Sequence, residues 1–205
     1  MSLKIITLQS LIDSYETESE VLDILKTFES TPHFLTGKVN DVEDFLHNKA
    51  IEFERNALST THLIFSEYRK ELILVGYFSL ANKPLTMTKK NYNSLNGSQK
   101  RKLCNHGSKT ESGGYIVNSY LLGQLGKNFS DKAIQTKAID GSILLTIAYD
   151  TILEAKQFIN AKYVWLECED EPRLIDLYKK FGFEKINGYE SQNGLMIMIM
   201  KLKRE

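Results

Sequence analysis

The run Asp176-Leu177-Tyr178-Lys179-Lys180-Phe181-Gly182-Phe183 stands just behind the apolar run Tyr163-Val164-Trp165-Leu166-Glu167-Cys168. The second is rich in aromatic and β-branched residues, which marks a strand; the first closes a helix expected from about Glu171 to Phe181. Upstream, Ile143, Leu144, Ile147, Ala148, Ile152 and Ala155 recur at helical spacing and predict a long helix from about Gly141 to Ile159. Strand character fills Tyr115 to Gly126, and a polar loop from Lys127 to Lys137 separates the two. Downstream, a pair of strands is expected around Gly188 to Gly194. Met196 to Met200 is apolar throughout, as in a strand covered on both faces. The second half therefore reads β-α-β-α-β.

The first half opens with a short strand, Leu3 to Leu8. Thr17 and Glu20 are spaced as a capping box before Val21, Leu22, Ile24, Leu25 and Phe28. A second helix is expected to begin near Asn40, with Glu43 reaching back to it and Val42, Phe45, Leu46, Ala50, Phe53 and Ala57 as its buried stripe. Residues 31–37 form a loop by their proline and glycine. The runs His62–Phe65 and Leu72–Leu80 predict a hairpin across the polar stretch Ser66–Lys70. From Ala81 to Gly114 periodicity is lost, apart from a short helix expected around Ser98 to Asn105. The whole chain, 1–205, is expected to form a single domain of mixed α/β (α+β) class.

Bulk properties remove several functions. Lys+Arg and Asp+Glu are both 26 in 205 residues, so no global field draws the chain to nucleic acid or membrane. No apolar run has the roughly 20 residues needed to span a bilayer. The start, Met1-Ser2-Leu3-Lys4-Ile5-Ile6, has no signal-peptide pattern, and two distant cysteines, Cys104 and Cys168, fit reduced thiols. A cytoplasmic protein is expected. His33, His47, His62 and His106 show no metal-ligand spacing, and no Gly-x-Ser-x-Gly elbow marks a serine nucleophile.

The strand–loop–helix from Leu121-Leu122-Gly123-Gln124-Leu125-Gly126 to Ile139-Asp140-Gly141-Ser142-Ile143-Leu144-Leu145, with the closing Leu-Tyr-x-x-x-Gly-Phe string, resembles the GNAT superfamily of N-acyltransferases. In the first half, Phe34-x-x-Gly37, Phe45-Leu46-x-x-x-Ala50, Ser59-Thr60-Thr61 and Val75-Gly76-Tyr77-Phe78-x-Leu80 are similar in order and spacing to the toxin-type GNATs of toxin–antitoxin modules. The resemblance implies a mixed, mostly antiparallel central sheet flanked by helices. It also implies acetyl-CoA as cosubstrate and a primary amine as acceptor, with tRNA and an antitoxin protein as the partners of the subfamily. That subfamily acetylates the amino group of aminoacyl-tRNA. Most of the superfamily instead modifies small-molecule or protein amines, and a degenerate, non-catalytic GNAT-like CoA-binding or interaction module is a third reading. Oligomeric state is left open.

Carried over residue by residue, the resemblance puts the cofactor against Leu122, Gly123, Gln124, Leu125 and Gly126, whose strand edge takes the pantetheine arm as an added strand. Glycine at 123 and 126 fits close approach of a ligand, with a bulge or a packing need as the alternative. The pyrophosphate meets Lys137, Ile139, Asp140, Gly141 and Ser142, at a helix N-terminus suited to anions. Here the sequence departs from the family. Ile139 stands where the first glycine is expected, Thr136 at the basic or glutamine place, and Asp140 sets a negative charge beside the phosphates. Tyr178 matches the tyrosine that protonates the departing thiolate; a phenol of ordinary pKa about 10 is a neutral donor at pH 7. No general base stands out, and Glu167 and Glu169 read as solvated strand-end acids. The lysines and arginine between Lys83 and Lys109 make a basic segment that reads as a solvated loop or as a phosphate-binding face.

Overall fold

Two elements of the first half follow directly from local chemistry. Strand β1 (Leu3–Thr7) ends where the Thr7 hydroxyl accepts the Ser10 N–H and starts helix α1 (Leu8–Ile12). Helix α2 (Glu18–Leu25) carries the complete Thr17/Glu20 capping box, which satisfies two otherwise orphaned N–H groups. The computed structural model describes residues 2–33, 35–189, 191 and 193–203. Phe34, with its share of the Phe34-x-x-Gly37 string, lies outside the described residues.

Contacts divide the chain into two compact units, Met1–Leu80 with Gly123–Tyr149, and Ala81–Leu122 with Asp150–Glu205. In the first unit, helix α3 (Asp41–Asn48) is capped by the Asn40 side chain, which accepts the Val42 N–H. Glu43 does not reach back to Asn40. Its carboxylate accepts the N–H and hydroxyl of Ser30 at 2.6 and 3.1 Å. The expected single helix is broken at Lys49, and helix α4 (Ala50–Arg55) follows. Ala57 lies beyond it with φ 52° and is exposed, so it is not part of the buried stripe.

Strands β2 (Thr60–Tyr68) and β3 (Glu71–Ala81) make the expected antiparallel hairpin, longer than the apolar runs suggested. Its turn is the pair Arg69-Lys70, both at positive φ. β1 pairs antiparallel with β2. Leu8, Val21, Leu25, Phe28, Phe45, Leu46, Leu63, Leu74 and Tyr77 pack into one apolar cluster between helices and strands. Burial of this kind, at about 25 cal/mol per Å² of apolar surface, is what fixes such short helices.

In the second unit the segment without periodicity is ordered. It holds strand β4 (Leu85–Met87), helices α5 (Lys89–Ser94) and α6 (Gly97–Gln99), a π-helical turn (Lys100–Cys104) and strand β5 (Gly107–Lys109). Strand β6 (Tyr115–Val117) pairs antiparallel with β4 and with β5. The expected strand Tyr115–Gly126 is thus two strands, β6 and β7 (Ser119–Lys127). Strand β8 (Tyr163–Cys168) runs parallel to β7 and antiparallel to β10 (Met196–Lys201), which in turn pairs antiparallel with β9 (Glu184–Lys185). Met196–Ile199 are all buried, as continuous apolarity predicted. The structure is the mixed α/β class read from the sequence, with mostly antiparallel pairing.

The polar stretch Lys127–Lys137 contains a helix that periodicity did not reveal, α7 (Asp131–Thr136). Helix α8 (Gly141–Phe158) and helix α9 (Pro172–Phe181) follow the expected boundaries. α9 has proline in its first turn and ends on Gly182, whose φ of 116° only glycine adopts without strain. Among the described residues no helix is long and apolar enough to cross a membrane.

Candidate functional site

β7 carries the first group of candidate residues. Its parallel ladder with β8 is short: Ser119, Tyr120 and Leu121 face Tyr163, Val164 and Trp165, and the ladder ends there. β7 itself runs on to Lys127, so Leu122, Gly123, Gln124, Leu125 and Gly126 lie outside that ladder. Leu122 is buried and Gly123 exposed; Gln124 and Leu125 are half-buried. Peptide groups on an unpaired strand edge are donors and acceptors in register, suited to an extended amide-bearing ligand.

Gly126 is accounted for by its neighbours. A β-carbon at Gly126 would lie 2.5 Å from Val42 Cγ1, 2.8 Å from Phe28 Cζ and 3.0 Å from Tyr77 Cε1. Gly126 is therefore required by packing in the first unit's core. Gly126→Ala should destabilise the protein by about 1–3 kcal/mol through overpacking. A chain of this size loses about 2–4 °C of Tm per kcal/mol, so differential scanning fluorimetry resolves the change. An unaltered Tm would refute the packing role.

Just beyond β7, Asn128 fixes the chain's exit. Its Oδ1 accepts the N–H of Glu29 and of Ser130 at 3.0 and 2.9 Å. Its Nδ2 donates to the carbonyls of Thr27 and Leu74 at 3.0 and 2.7 Å. All four side-chain bonds an asparagine readily makes are satisfied in a residue 1% exposed. Nothing in its sequence context signals this.

The phosphate-loop candidates sit between α7 and α8. Thr136, at the place expected to be basic or glutamine, is buried and turned inward, its hydroxyl donating to the Ala133 carbonyl at 2.7 Å. Lys137 ends α7 in the left-handed region at φ 51° and is exposed. Ile139 is buried over β3: a β-carbon at Gly76 would come 2.7 Å from Ile139 Cδ1 and 2.9 Å from the Gly126 carbonyl oxygen. Gly76 and Ile139 form a complementary pair, which accounts for isoleucine at the expected glycine position. A glycine inside a strand is the sequence signal that points to such an approach.

Asp140 caps α8. Its Oδ1 accepts the Ile143 N–H at 2.8 Å, and its carbonyl accepts from Leu144 at 3.0 Å. The carboxylate thus serves the helix's own N-terminus. Gly141 and Ser142, the first two helical residues, have N–H groups with no intrahelical acceptor by position. Gly123–Gly126, Lys137 and Ile139–Ser142 all belong to the first unit, and Ile139 and Gly126 meet at Gly76.

Leu122 and Tyr178 belong to the second unit. Tyr178 is 7% exposed on α9, its ring edge-on to Phe183 with centroids 5.8 Å apart. Its carbonyl accepts the N–H of Gly182 and of Phe183 at 3.1 and 2.9 Å, so the Gly182-Phe183 pair holds the end of the helix that carries it. At the end of β8, Glu167 is exposed and Cys168 buried. Burial, with Asp170 and Glu169 nearby, pushes the Cys168 thiol up to about 11, which leaves it protonated and inert at neutral pH. Cys104 and Cys168 are unbridged. Among the described residues no group of three or more His, Cys, Asp or Glu is placed to hold a metal ion.

No family model matches the chain, and no curated protein matches it. Solved structures do. A bacterial toxin matches with TM-score 0.64 at 15% identity, over 98% of this chain and 90% of its own. AtaT complexed with acetyl-methionyl-tRNAfMet matches with TM-score 0.60 at 18% identity, over 95% and 94%. AtaTR bound with AcCoA matches with TM-score 0.56 at 16% identity, over 97% and 92%. This chain has the fold of the GNAT-type toxins.

Proposed function

We propose that this chain, residues 1–205 acting as one acyltransferase domain, is an acetyl-CoA-dependent N-acetyltransferase that delivers acetyl to a primary amine by direct attack. The observation that carries the reading is the edge of β7 from Leu122 to Gly126, which leaves the β8 ladder after Leu121 in a fold shared with a protein solved with AcCoA. The residues fit the pantetheine arm, whose amides pair with an extended backbone edge. Gly141 and Ser142 would offer N–H groups to the pyrophosphate and Lys137 a positive charge, while Asp140 is occupied with Ile143.

Bound acetyl-CoA supplies the activated thioester carbonyl. Tyr178 is the general acid: its phenol gives a proton to the sulfur as the carbon–sulfur bond breaks and the amine nitrogen bonds to the acetyl carbon. An aminoacyl ester has an amine of low pKa, so water suffices to take its proton, and Glu167 and Glu169 need no role. The acceptor class we favour is the amino group of an aminoacyl-tRNA, supported by the AtaT structure holding acetyl-methionyl-tRNAfMet. An antitoxin partner belongs to the same reading, since AtaT has also been solved with the C-terminus of the antitoxin AtaR.

A second reading has its own observation. Asp140 uses one N–H at the start of α8, and Thr136 is buried where a phosphate contact is expected, which suits a module that no longer uses CoA. Calorimetric titration of acetyl-CoA into the full chain separates the two. The acetyltransferase reading expects saturable one-to-one binding; absence of heat at millimolar ligand would overturn it.

A further inference from the structure

The second unit holds a cavity of about 930 Å³. Lys156 on α8, Lys162 just before β8, and Lys201 and Lys203 at and beyond the end of β10 line it, together with His106. No carboxylate, and no phenylalanine, tyrosine or tryptophan ring, lines it among the described residues. Its volume falls in the range of roughly 300–1,000 Å³ usual for small-molecule sites.

The backbone oxygens around the cavity are already engaged. The Lys156 ammonium donates to the Lys203 carbonyl at 2.8 Å, and the Leu202 N–H donates to the Lys162 carbonyl at 2.9 Å. Asn118 donates to the Asn160 carbonyl at 2.9 Å, and the Tyr120 hydroxyl donates to the Ile159 carbonyl. The chain leaving the negative end of α8 thus turns its oxygens onto protein donors. Donors dominate what the cavity presents, which suits a ligand made of acceptors. Four like charges round one cavity repel one another, and a polyanion among them relieves that repulsion.

The residue types narrow the class further. The cations are lysines, with no arginine among the described lining residues. Ammonium groups act as point charges and lack the planar fork of a guanidinium, so they favour the ligand with the most charge in the least volume. A nucleobase would find no aromatic side chain in the lining to stack on, apart from the His106 imidazole. We propose that this cavity binds a compact oligophosphate, two or more linked phosphoryl groups without a stacked base, held by Lys156, Lys162, Lys201 and Lys203. The proposal goes beyond acetyl transfer and does not rest on it.

Calorimetric titration of inorganic triphosphate into the full chain tests it. Binding should be saturable at low salt and weaker at about 0.15 M, where the charges are screened. Lys201 and Lys203 are exposed, so the double variant Lys201→Ala, Lys203→Ala should keep the fold. It should bind triphosphate at least about tenfold more weakly, the scale of one lost hydrogen bond to a charged group. Lys156 is left in place because its ammonium also holds the Lys203 carbonyl. Triphosphate at about 100 times its Kd should raise the wild-type Tm by roughly 5–10 °C, and the same concentration should raise that of the double variant by less. Gly141→Asp, changed at the proposed cofactor loop, should bind triphosphate as the wild type does. The lysine variant should bind acetyl-CoA as the wild type does, which keeps this test apart from the acetyltransferase reading.

Equal triphosphate affinity in the wild type and the lysine variant would overturn the proposal. So would loss of binding in Gly141→Asp alone, which would place the triphosphate at the cofactor loop. Citrate binding more tightly than triphosphate would overturn the phosphate assignment in favour of a polycarboxylate. Lysine-dependent binding of a single-stranded RNA, with no affinity for triphosphate, would give the cavity to a nucleic acid instead.

Discussion

Tyr178→Phe is expected to slow acetyl transfer by about 10²-fold, the lower end of the range for losing one positioned acid, because CoA thiolate is a tolerable leaving group. The substitution keeps the ring edge-on to Phe183 and keeps the backbone bonds from Gly182 and Phe183, so the end of α9 is undisturbed. Only the hydroxyl goes. Its loss should change stability by no more than the usual net worth of one hydrogen bond, about 0.5–1.5 kcal/mol. Acetyl-CoA affinity should hold, which places the defect in turnover and not in cofactor binding. A purely structural tyrosine predicts the reverse, with normal turnover and a modest drop in Tm. Single-turnover rates with saturating acetyl-CoA decide between them, and wild-type rates in the Phe variant would remove Tyr178 from the mechanism.

Gly141→Asp should abolish acetyl-CoA binding while leaving the fold intact. Position 141 is the first residue of α8, where an acidic side chain interacts favourably with the helix dipole by about 0.3–1 kcal/mol. Stability is therefore expected to hold or rise slightly. The same carboxylate would stand beside Asp140, which already brings one negative charge to this helix start. Two carboxylates there oppose a pyrophosphate by charge and by bulk. Opposite signs for folding and binding make the result hard to mistake for misfolding. Unchanged acetyl-CoA affinity would show that the phosphates do not approach this helix.

The elements legible in the sequence were those with strong local chemistry. The Thr17/Glu20 box stops and starts the backbone by its own hydrogen bonds, and the doubly apolar β10 has no solvent face to disguise it. The helix closing on Leu177, Tyr178 and Phe181 was legible for the same reason, because its stripe and its terminal glycine agree. Misreadings came where local signals are weak or point the wrong way. The hairpin itself was legible, and only its turn was drawn too wide, because Arg69-Lys70 hold the positive φ at a place where glycine or asparagine is the usual signal. α7 buries only Ala133 and Thr136, too few positions to show a period. The break at Lys49 lies inside an unbroken apolar rhythm from Phe45 to Phe53.

At the candidate site several residues have structural contacts that the sequence did not signal. Ile139 looked like a defect in a glycine loop, and its meaning lies in Gly76, far away in the chain, whose missing side chain it fills. Asp140 looked like a charge in the wrong place, and it is the cap of α8. Gly126 looked suited to a ligand and faces Val42, Phe28 and Tyr77. Each is a long-range packing or capping fact that no window of sequence contains.

Transfer of label from radiolabelled acetyl-CoA to a pool of aminoacylated tRNA is the direct measurement of the central claim. The acetyltransferase account predicts label in the precipitated RNA, released by mild alkali as N-acetylated amino acid and reduced by about 10²-fold in Tyr178→Phe. Label that stays on CoA in the presence of charged tRNA, free amines and protein amines, in a chain that binds acetyl-CoA, would contradict it.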